Sequence, residues 1–288
     1  MAHFPLPPAP SPASLLTLGP EGTFSDMATR RLQAAQNWGR LPIRYSRTLP
    51  EVTRGAEEDP SIWGVIPIEN SVAGTVGQAQ DSLLRHRVTI EHEILIKVRF
   101  SLLANGPLAA VRTCYTHPQA FDQCAEYLAA HLPGADPLFT SSNTASGQAF
   151  LARPADDPVA AIVPVEFGAR HPQRVAGETI QDYPHNTTRF LLVRKAVEGE
   201  TFDFGRAKTS LFVEPEEDRV GLLLDLLNVF SRHKINLCRL ESRPDKTTPW
   251  VYVFFIDFTN TPATPACLDD LSRTATRIRV LGSYDTLE

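Results

Sequence analysis

Trp63-Gly64-Val65-Ile66-Pro67-Ile68-Glu69-Asn70-Ser71 runs apolar to Ile68 and turns polar at Glu69. A short apolar run bounded by turn residues reads as a buried strand. Upstream, Leu15 to Leu18 is a second such run, ending at Gly19-Pro20, and Ile43 to Tyr45 a third. Between them Phe24 to Gln36 has helical spacing, with Ser25 as the expected N-cap. Downstream, Val76 to His86 reads as a helix and Val88 to Arg99 as an extended, paired segment. A strand at Thr113 to Thr116 leads into His117-Pro118. The helix Gln119 to His131 follows, with Phe121, Ala125, Leu128 and Ala129 on one face. Thr140 to Thr144 is a polar turn and Ala145 to Leu151 a helix. Val159 to Val163 and Thr187 to Val193 are further strands. Strand alternating with helix predicts a mostly parallel α/β architecture. Polar clusters recur where strands end, at Glu69 to Ser71, His117 to Gln119 and Ser141 to Thr144. Ligands of open α/β sheets bind beyond strand ends, so these clusters are expected to converge on one site.

The pattern changes after Val197 to Ala207, a polar segment with two glycines that suits a linker. Thr209 to Val213 reads as a strand. Asp218 to His233 is a helix with Leu222, Leu223, Leu226, Leu227 and Phe230 inward. Strands at Ile235 to Ser242 and Trp250 to Phe258 flank a turn at Pro244 to Pro249. A helix at Cys267 to Ala275 and a strand at Ile278 to Tyr284 close the unit. The order βαββαβ is that of a ferredoxin-like domain.

The 288 residues suit two domains, and a 42% hydrophobic, 21% charged composition is that of a globular protein. A formal charge of -5 gives no global field to draw nucleic acid or an anionic membrane. No apolar run reaches the roughly 18 residues of a membrane span. Met1 to Ser14 is proline-rich, with neither a basic n-region nor an apolar h-region, and reads as a disordered leader rather than a signal peptide. A cytoplasmic protein is the expectation. Cys114, Cys124, Cys238 and Cys267 show no paired or zinc-ligand spacing and read as reduced thiols. No G-x-G-x-x-G, phosphate loop, G-x-S-x-G or H-E-x-x-H occurs, since Ile96 stands where the second histidine is needed. A cofactor-free, metal-free enzyme or a binding protein remains.

Four blocks then carry a resemblance. Leu18-Gly19-Pro20-Glu21-Gly22-Thr23-Phe24-Ser25, Gly64 to Ser71, Thr116-His117-Pro118-Gln119-Ala120 and Asn186-Thr187-Thr188-Arg189-Phe190 resemble, in order and spacing, the signature blocks of prephenate dehydratases. A fifth, Leu240-Glu241-Ser242-Arg243-Pro244, resembles the phenylalanine-binding motif of that family's ACT regulatory domain. The resemblance implies a two-lobed catalytic domain like type 2 periplasmic binding proteins, over residues 15–196 with the second lobe at about 95–175. A linker at 197–207 and an ACT domain at 208–288 follow; residues 1–14 are the leader. It implies loss of carbon dioxide and the ring hydroxyl from prephenate, giving phenylpyruvate, with no cofactor.

By the same resemblance Thr188 is the catalytic threonine, hydrogen-bonding to the leaving oxygen. Taken alone it is a β-branched strand residue of any sheet. Asn70 and Gln119 match positions that bind or orient substrate; a turn cap is the plainer role for Asn70. Ser71 and Thr75 are expected to cap the next helix, whose N-terminus would attract a carboxylate. Gly22 and Thr23 would serve likewise after the first strand. Ser142 and Thr144 occupy a Ser/Thr-rich block of the family, but Ser146-Gly147-Gln148 departs from its alanine-rich run. Arg189 has two readings, a bidentate partner of a substrate carboxylate or a structural salt bridge. Phe190 completes the block. In the regulatory domain Gly221, Leu222, Asn236, Leu237, Glu241 and Ser242 are the expected contacts of L-phenylalanine, held between subunits of a homodimer or homotetramer. Leu222 replaces a small alanine and either narrows that pocket or points into the core. The alternatives are an arogenate dehydratase and a non-catalytic amino-acid sensor of the same fold.

Overall fold

The computed structural model describes residues 11–215, 219–245, 251–274 and 277–287. The first ten leader residues, Asp218, Ala275, residues 246–249 of the expected turn and Trp250 of the expected strand lie outside the described residues.

The chain begins with β1 (Ser14–Leu18), α1 (Phe24–Ala35), β2 (Ile43–Ser46), α2 (Leu49–Glu58), β3 (Ile62–Asn70), the short β4 (Gly74–Thr75), α3 (Gly77–Arg85) and β5 (Val88–Lys97). It then enters a second lobe: β6 (Phe100–Ala104), β7 (Thr113–Thr116), α4 (Pro118–Asp122), α5 (Ala125–His131), β8 (Asp136–Phe139), α6 (Asn143–Leu151), β9 (Val159–Pro164), α7 (Val165–Gly168) and β10 (Val175–Gly177). β11 (Thr187–Lys195) returns to the first lobe. The last unit is β12 (Lys208–Glu214), α8 (Leu222–Arg232), β13 (Leu237–Pro244), β14 (Tyr252–Thr259), α9 (Thr264–Thr274) and β15 (Arg277–Leu287).

The sheets are mixed, not mostly parallel. β1 is parallel to β2 and β3, but β11 lies antiparallel between β3 and β5. The cause is the crossing. β5 leaves for the second lobe where β11 comes back, so the two run in opposite senses, and Val98 N donates to Asn186 O (2.8 Å) at the crossing itself. The second lobe has its own sheet, ordered β10-β6-β9-β7-β8.

Local chemistry moved several boundaries. Thr23, not Ser25, caps α1, accepting from Asp26 N (3.4 Å), and Ser25 is buried inside the helix. The expected helix over 119–131 is two helices. Asp182, arriving from the return crossing, accepts from Glu126 N (3.1 Å) and Tyr127 N (3.3 Å) and so starts α5 afresh. Apolar spacing continues across that break, which is why periodicity alone hides it. Neither Ser71 nor Thr75 caps α3, whose N-cap is Val76 with no side-chain hydrogen bond. α2 escaped the pattern reading, although Thr48-x-x-Glu51 is a capping-box signature; Glu51 reaches back to Thr48 N (3.4 Å).

The C-terminal sheet is ordered β13-β14-β12-β15, the ferredoxin-like arrangement. Strand alternation gives it two apolar faces. Leu211, Val213, Ile256 and Phe258 pack with Leu226, Phe230 and Leu271 of α8 and α9. Phe212, Val253, Phe255 and Leu281 join the core of the first lobe, with Leu49, Val52, Ala79 and Leu83 of α2 and α3. Each such aromatic contributes about 1.5–3 kcal/mol by leaving water, so the two domains share one core. Beyond the expected Tyr284, β15 runs on to pair Asp285, Thr286 and Leu287 in parallel with His92, Glu93 and Ile94. The result is one ten-stranded sheet through both domains. A Cβ on Gly282 would lie 2.2 Å from Ile90 O, so only glycine permits this approach. Among the described residues no helix is long and apolar enough to cross a membrane.

Candidate active site

β3 ends where β11 begins, and the register sets Asn70 opposite Thr188. Asn70 Nδ2 donates to Thr188 Oγ1 (2.9 Å) and to Asn186 Oδ1 (2.8 Å). Its Oδ1 accepts from Val72 N (3.0 Å) and Ala73 N (2.8 Å). Asn70 therefore caps the turn and, through the same amide, holds Thr188 at the cleft. Thr188 Oγ1 is an acceptor in this bond, so its own hydrogen stays available. No acceptor among the described residues takes it.

The pair opens into a cleft of ≈ 50 Å³ between the lobes. Phe24 from the first lobe meets Phe100 from the second edge to face (centroids 5.5 Å). Gln119, Gln123 and Asn143 supply polar groups from the second lobe. Asn143 Oδ1 and Thr144 Oγ1 are buried without a protein partner. Buried polar atoms left so cost about 1–3 kcal/mol each, and they suit a polar ligand. Three expected residues, Asn70, Gln119 and Thr188, thus line one cavity. Asn143 comes from the expected polar cluster Ser141 to Thr144, whereas Phe24, Phe100 and Gln123 escaped sequence reasoning as lining residues. Gln123 carried a signal, lying one helical turn beyond Gln119.

Other expected residues hold the frame. Ser71 Oγ accepts from Thr187 N (3.0 Å) and pins the start of β11. Thr23 Oγ1 caps α1 and donates to Pro20 O (2.9 Å). Ser142 Oγ caps α6 through Ala145 N (3.0 Å). Phe190 is buried in the first-lobe core, away from the cleft. Cys114, Cys124 and Cys267 are buried. Burial pushes the thiols of Cys114 and Cys267 up, to about 12 and about 11, which removes them as nucleophiles.

Two expected substrate contacts belong instead to the domain interface. Arg189, beside Thr188, alternates to the opposite face. Its Nε donates to Glu93 Oε2 (2.5 Å), Nη1 to Asp257 Oδ2 (2.5 Å) and Nη2 to Tyr284 Oη (2.8 Å). This decides between its two readings: the guanidinium is spent on structural ion pairs and faces away from the cleft. Burial opposes its charge, yet Asp257, Tyr284 and Glu93 outweigh burial and raise its pKa. Burial likewise opposes ionisation of Glu93, but Arg189 and Lys208 hold it below the usual carboxylate range. Thr75 Oγ1 donates to Glu241 Oε2 (2.7 Å) and accepts from Arg239 Nη2 (2.8 Å). Thr75 is thereby removed from the cleft, and Glu241 faces the first lobe rather than an open pocket.

The remaining regulatory residues divide. Leu222 is buried in the C-terminal core. With Pro215, Ser242, Tyr252 and Phe254 it also borders a recess of ≈ 370 Å³. Gly221, at φ 83°, opens α8. Asn236 and Leu237, at the start of β13, do not line the recess.

Residues 15–198 match the family profile described as prephenate dehydratase, and residues 210–275 match that of the ACT domain. The chain is 32% identical to a prephenate dehydratase of Methanocaldococcus jannaschii over 93% of its length and 97% of the relative's. The fold is similar to the crystal structure of the prephenate dehydratase from Staphylococcus aureus (TM-score 0.78, 29% identity, 94% and 99% of the two chains). It is equally similar to that from Arthrobacter aurescens in complex with L-Phe (TM-score 0.79, 31% identity, 94% and 90%). The chain belongs to the prephenate dehydratase family and carries an ACT domain after its catalytic lobes.

Proposed function

We propose that this chain is a prephenate dehydratase acting in phenylalanine biosynthesis. Prephenate and one proton give phenylpyruvate, carbon dioxide and water. The C4–OH bond breaks, the bond from ring C1 to its carboxylate breaks, and the electron pair of the latter completes the aromatic ring. Aromatisation drives the step, so the protein has to position the substrate and assist a poor leaving group. Thr188 is assigned that assistance. Its free hydroxyl hydrogen bonds to the departing oxygen, while Asn70 fixes the hydroxyl's direction from behind. Gln119 and Asn143 supply donors from the facing lobe without titrating.

The Asn70–Thr188 pair at the mouth of the interlobe cleft is the observation that carries this reading. The test is turnover of prephenate, followed as phenylpyruvate by its absorbance in alkali. The wild type should turn over. Thr188→Val, which keeps shape and loses the hydroxyl, should lower kcat by about 10²–10⁴. Unchanged kcat in Thr188→Val would take the role from this residue.

We take residues 15–196 as catalytic and 208–288 as regulatory, joined by 197–207. L-Phenylalanine is assigned to the ACT domain as feedback effector. The relative crystallised with L-Phe and the recess beside Leu222 and Ser242 support this. Exposed Leu240 of the edge strand β13, Tyr252 of β14, and Val220 and Leu224 at the start of α8 support a homodimer or homotetramer formed through the C-terminal domain. We assign a cytoplasmic location, which fits a biosynthetic enzyme family.

A further inference from the structure

We propose that Arg170 is the substrate-recognition residue of the cleft: its guanidinium binds the side-chain carboxylate of a 2-oxo acid and biases the site against the 2-amino analogue. The inference deepens the dehydratase reading and rests on it.

Three groups from two lobes meet at one point. Gly22 has φ +82 and no side chain; a Cβ built there would lie 3.5 Å from Arg170 Nη2 and 3.4 Å from Thr144 Oγ1. Gly22 and Thr144 each stand within two residues of a cleft-lining residue, Phe24 and Asn143. Thr144 is 4% exposed, and its hydroxyl has no partner. Arg170 is exposed and, among the described residues, pairs with no carboxylate; it lies over the Phe167 ring at 5.1 Å. Gly22 N is already taken by Asp26 (2.9 Å), so the anion's contacts here are the guanidinium and the Thr144 hydroxyl.

The sequence departure in α6 belongs to the same arrangement. A Cβ on Gly147 would come within 2.4 Å of the Phe167 ring. Glycine disfavours a helix interior, but here it opens the recess in which Phe167 sits. Phe167 in turn supports Arg170. Gly147 and Phe167 are positioning residues, and Arg170 touches substrate.

Prephenate has two carboxylates. The one on the ring leaves as neutral carbon dioxide, and a cation fixed on it would stabilise the ground state more than the transition state. The side-chain carboxylate survives into phenylpyruvate, so Arg170 can hold it throughout. In arogenate the neighbouring carbon carries an ammonium, which a guanidinium at this place repels.

The experiment compares wild type, Arg170→Gln, Arg170→Lys and Gly147→Ala. It measures KM and kcat with prephenate and with arogenate, and Kd for phenylpyruvate by titration calorimetry. Arg170→Gln should raise the prephenate KM and the phenylpyruvate Kd about tenfold or more, with kcat nearly unchanged. Arogenate KM should change less, so the preference narrows. Arg170→Lys should recover part of the loss, and Gly147→Ala should shift KM in the same direction as Arg170→Gln. KM and Kd in Arg170→Gln within about twofold of wild type would overturn the assignment. A wild type that turns over neither substrate defeats the dehydratase reading alone: phenylpyruvate binding lost in Arg170→Gln then still supports Arg170, and binding retained or absent throughout rejects it.

Discussion

Thr188 and Arg189 are one peptide bond apart and serve different domains. The first presents its hydroxyl to the cleft; the second spans Glu93 of the catalytic sheet and Asp257 of the regulatory sheet. Alternation along a strand puts the two on opposite faces, although the sequence left both readings of Arg189 open. The partners were not legible, because they lie 96 and 68 residues away. Removing this buried cation leaves Asp257 without a cation among the described residues and Glu93 with Lys208 alone, at about 3–5 kcal/mol. Arg189→Met should therefore lower unfolding stability by that order in denaturant melts. Arg189→Lys should rescue little, since one ammonium cannot reach three acceptors in a plane. Wild-type stability in Arg189→Met would show that the network contributes nothing net. Asn70 was legible in a different way: the same amide caps the turn and bonds Thr188, so its turn reading does not compete with a place at the cleft.

At the scale of elements, the junction of β5 and β15 joins the domains, and His92 sits in it opposite Asp285. Burial first, then the positive charge of Arg206, lowers the His92 pKa to about 4. In the unfolded chain its ordinary value is about 6.5. The unfolded state therefore binds the proton first as pH falls. The stability this group contributes is complete above about pH 6.5 and is lost progressively between there and about pH 4. His92→Gln should flatten that part of the stability profile, read as denaturant midpoint against pH. An equal slope in both proteins would move the acid sensitivity elsewhere. The strands themselves were largely legible, since apolar runs and their turn residues are local. The break between α4 and α5 was not, because its cause is Asp182, carried in by a distant segment.

For the whole molecule, element order revealed a βαββαβ unit, but not how it docks. Nothing local says that Phe212 and Phe255 face another domain while Leu211 and Ile256 face their own helices. The shared core has a consequence for unfolding. Domains joined by a polar linker alone melt separately, whereas domains sharing buried aromatics melt together. Calorimetry should show one transition whose calorimetric and van't Hoff enthalpies agree; two resolved transitions would contradict a common core. The pairing of Asp285, Thr286 and Leu287 with β5 has a further effect, on self-association. Without those residues the middle of β5 would offer unpaired amides and carbonyls to any passing strand, the usual origin of edge-to-edge aggregation. The regulatory domain thus also works as a guard, keeping the catalytic sheet from recruiting copies of itself.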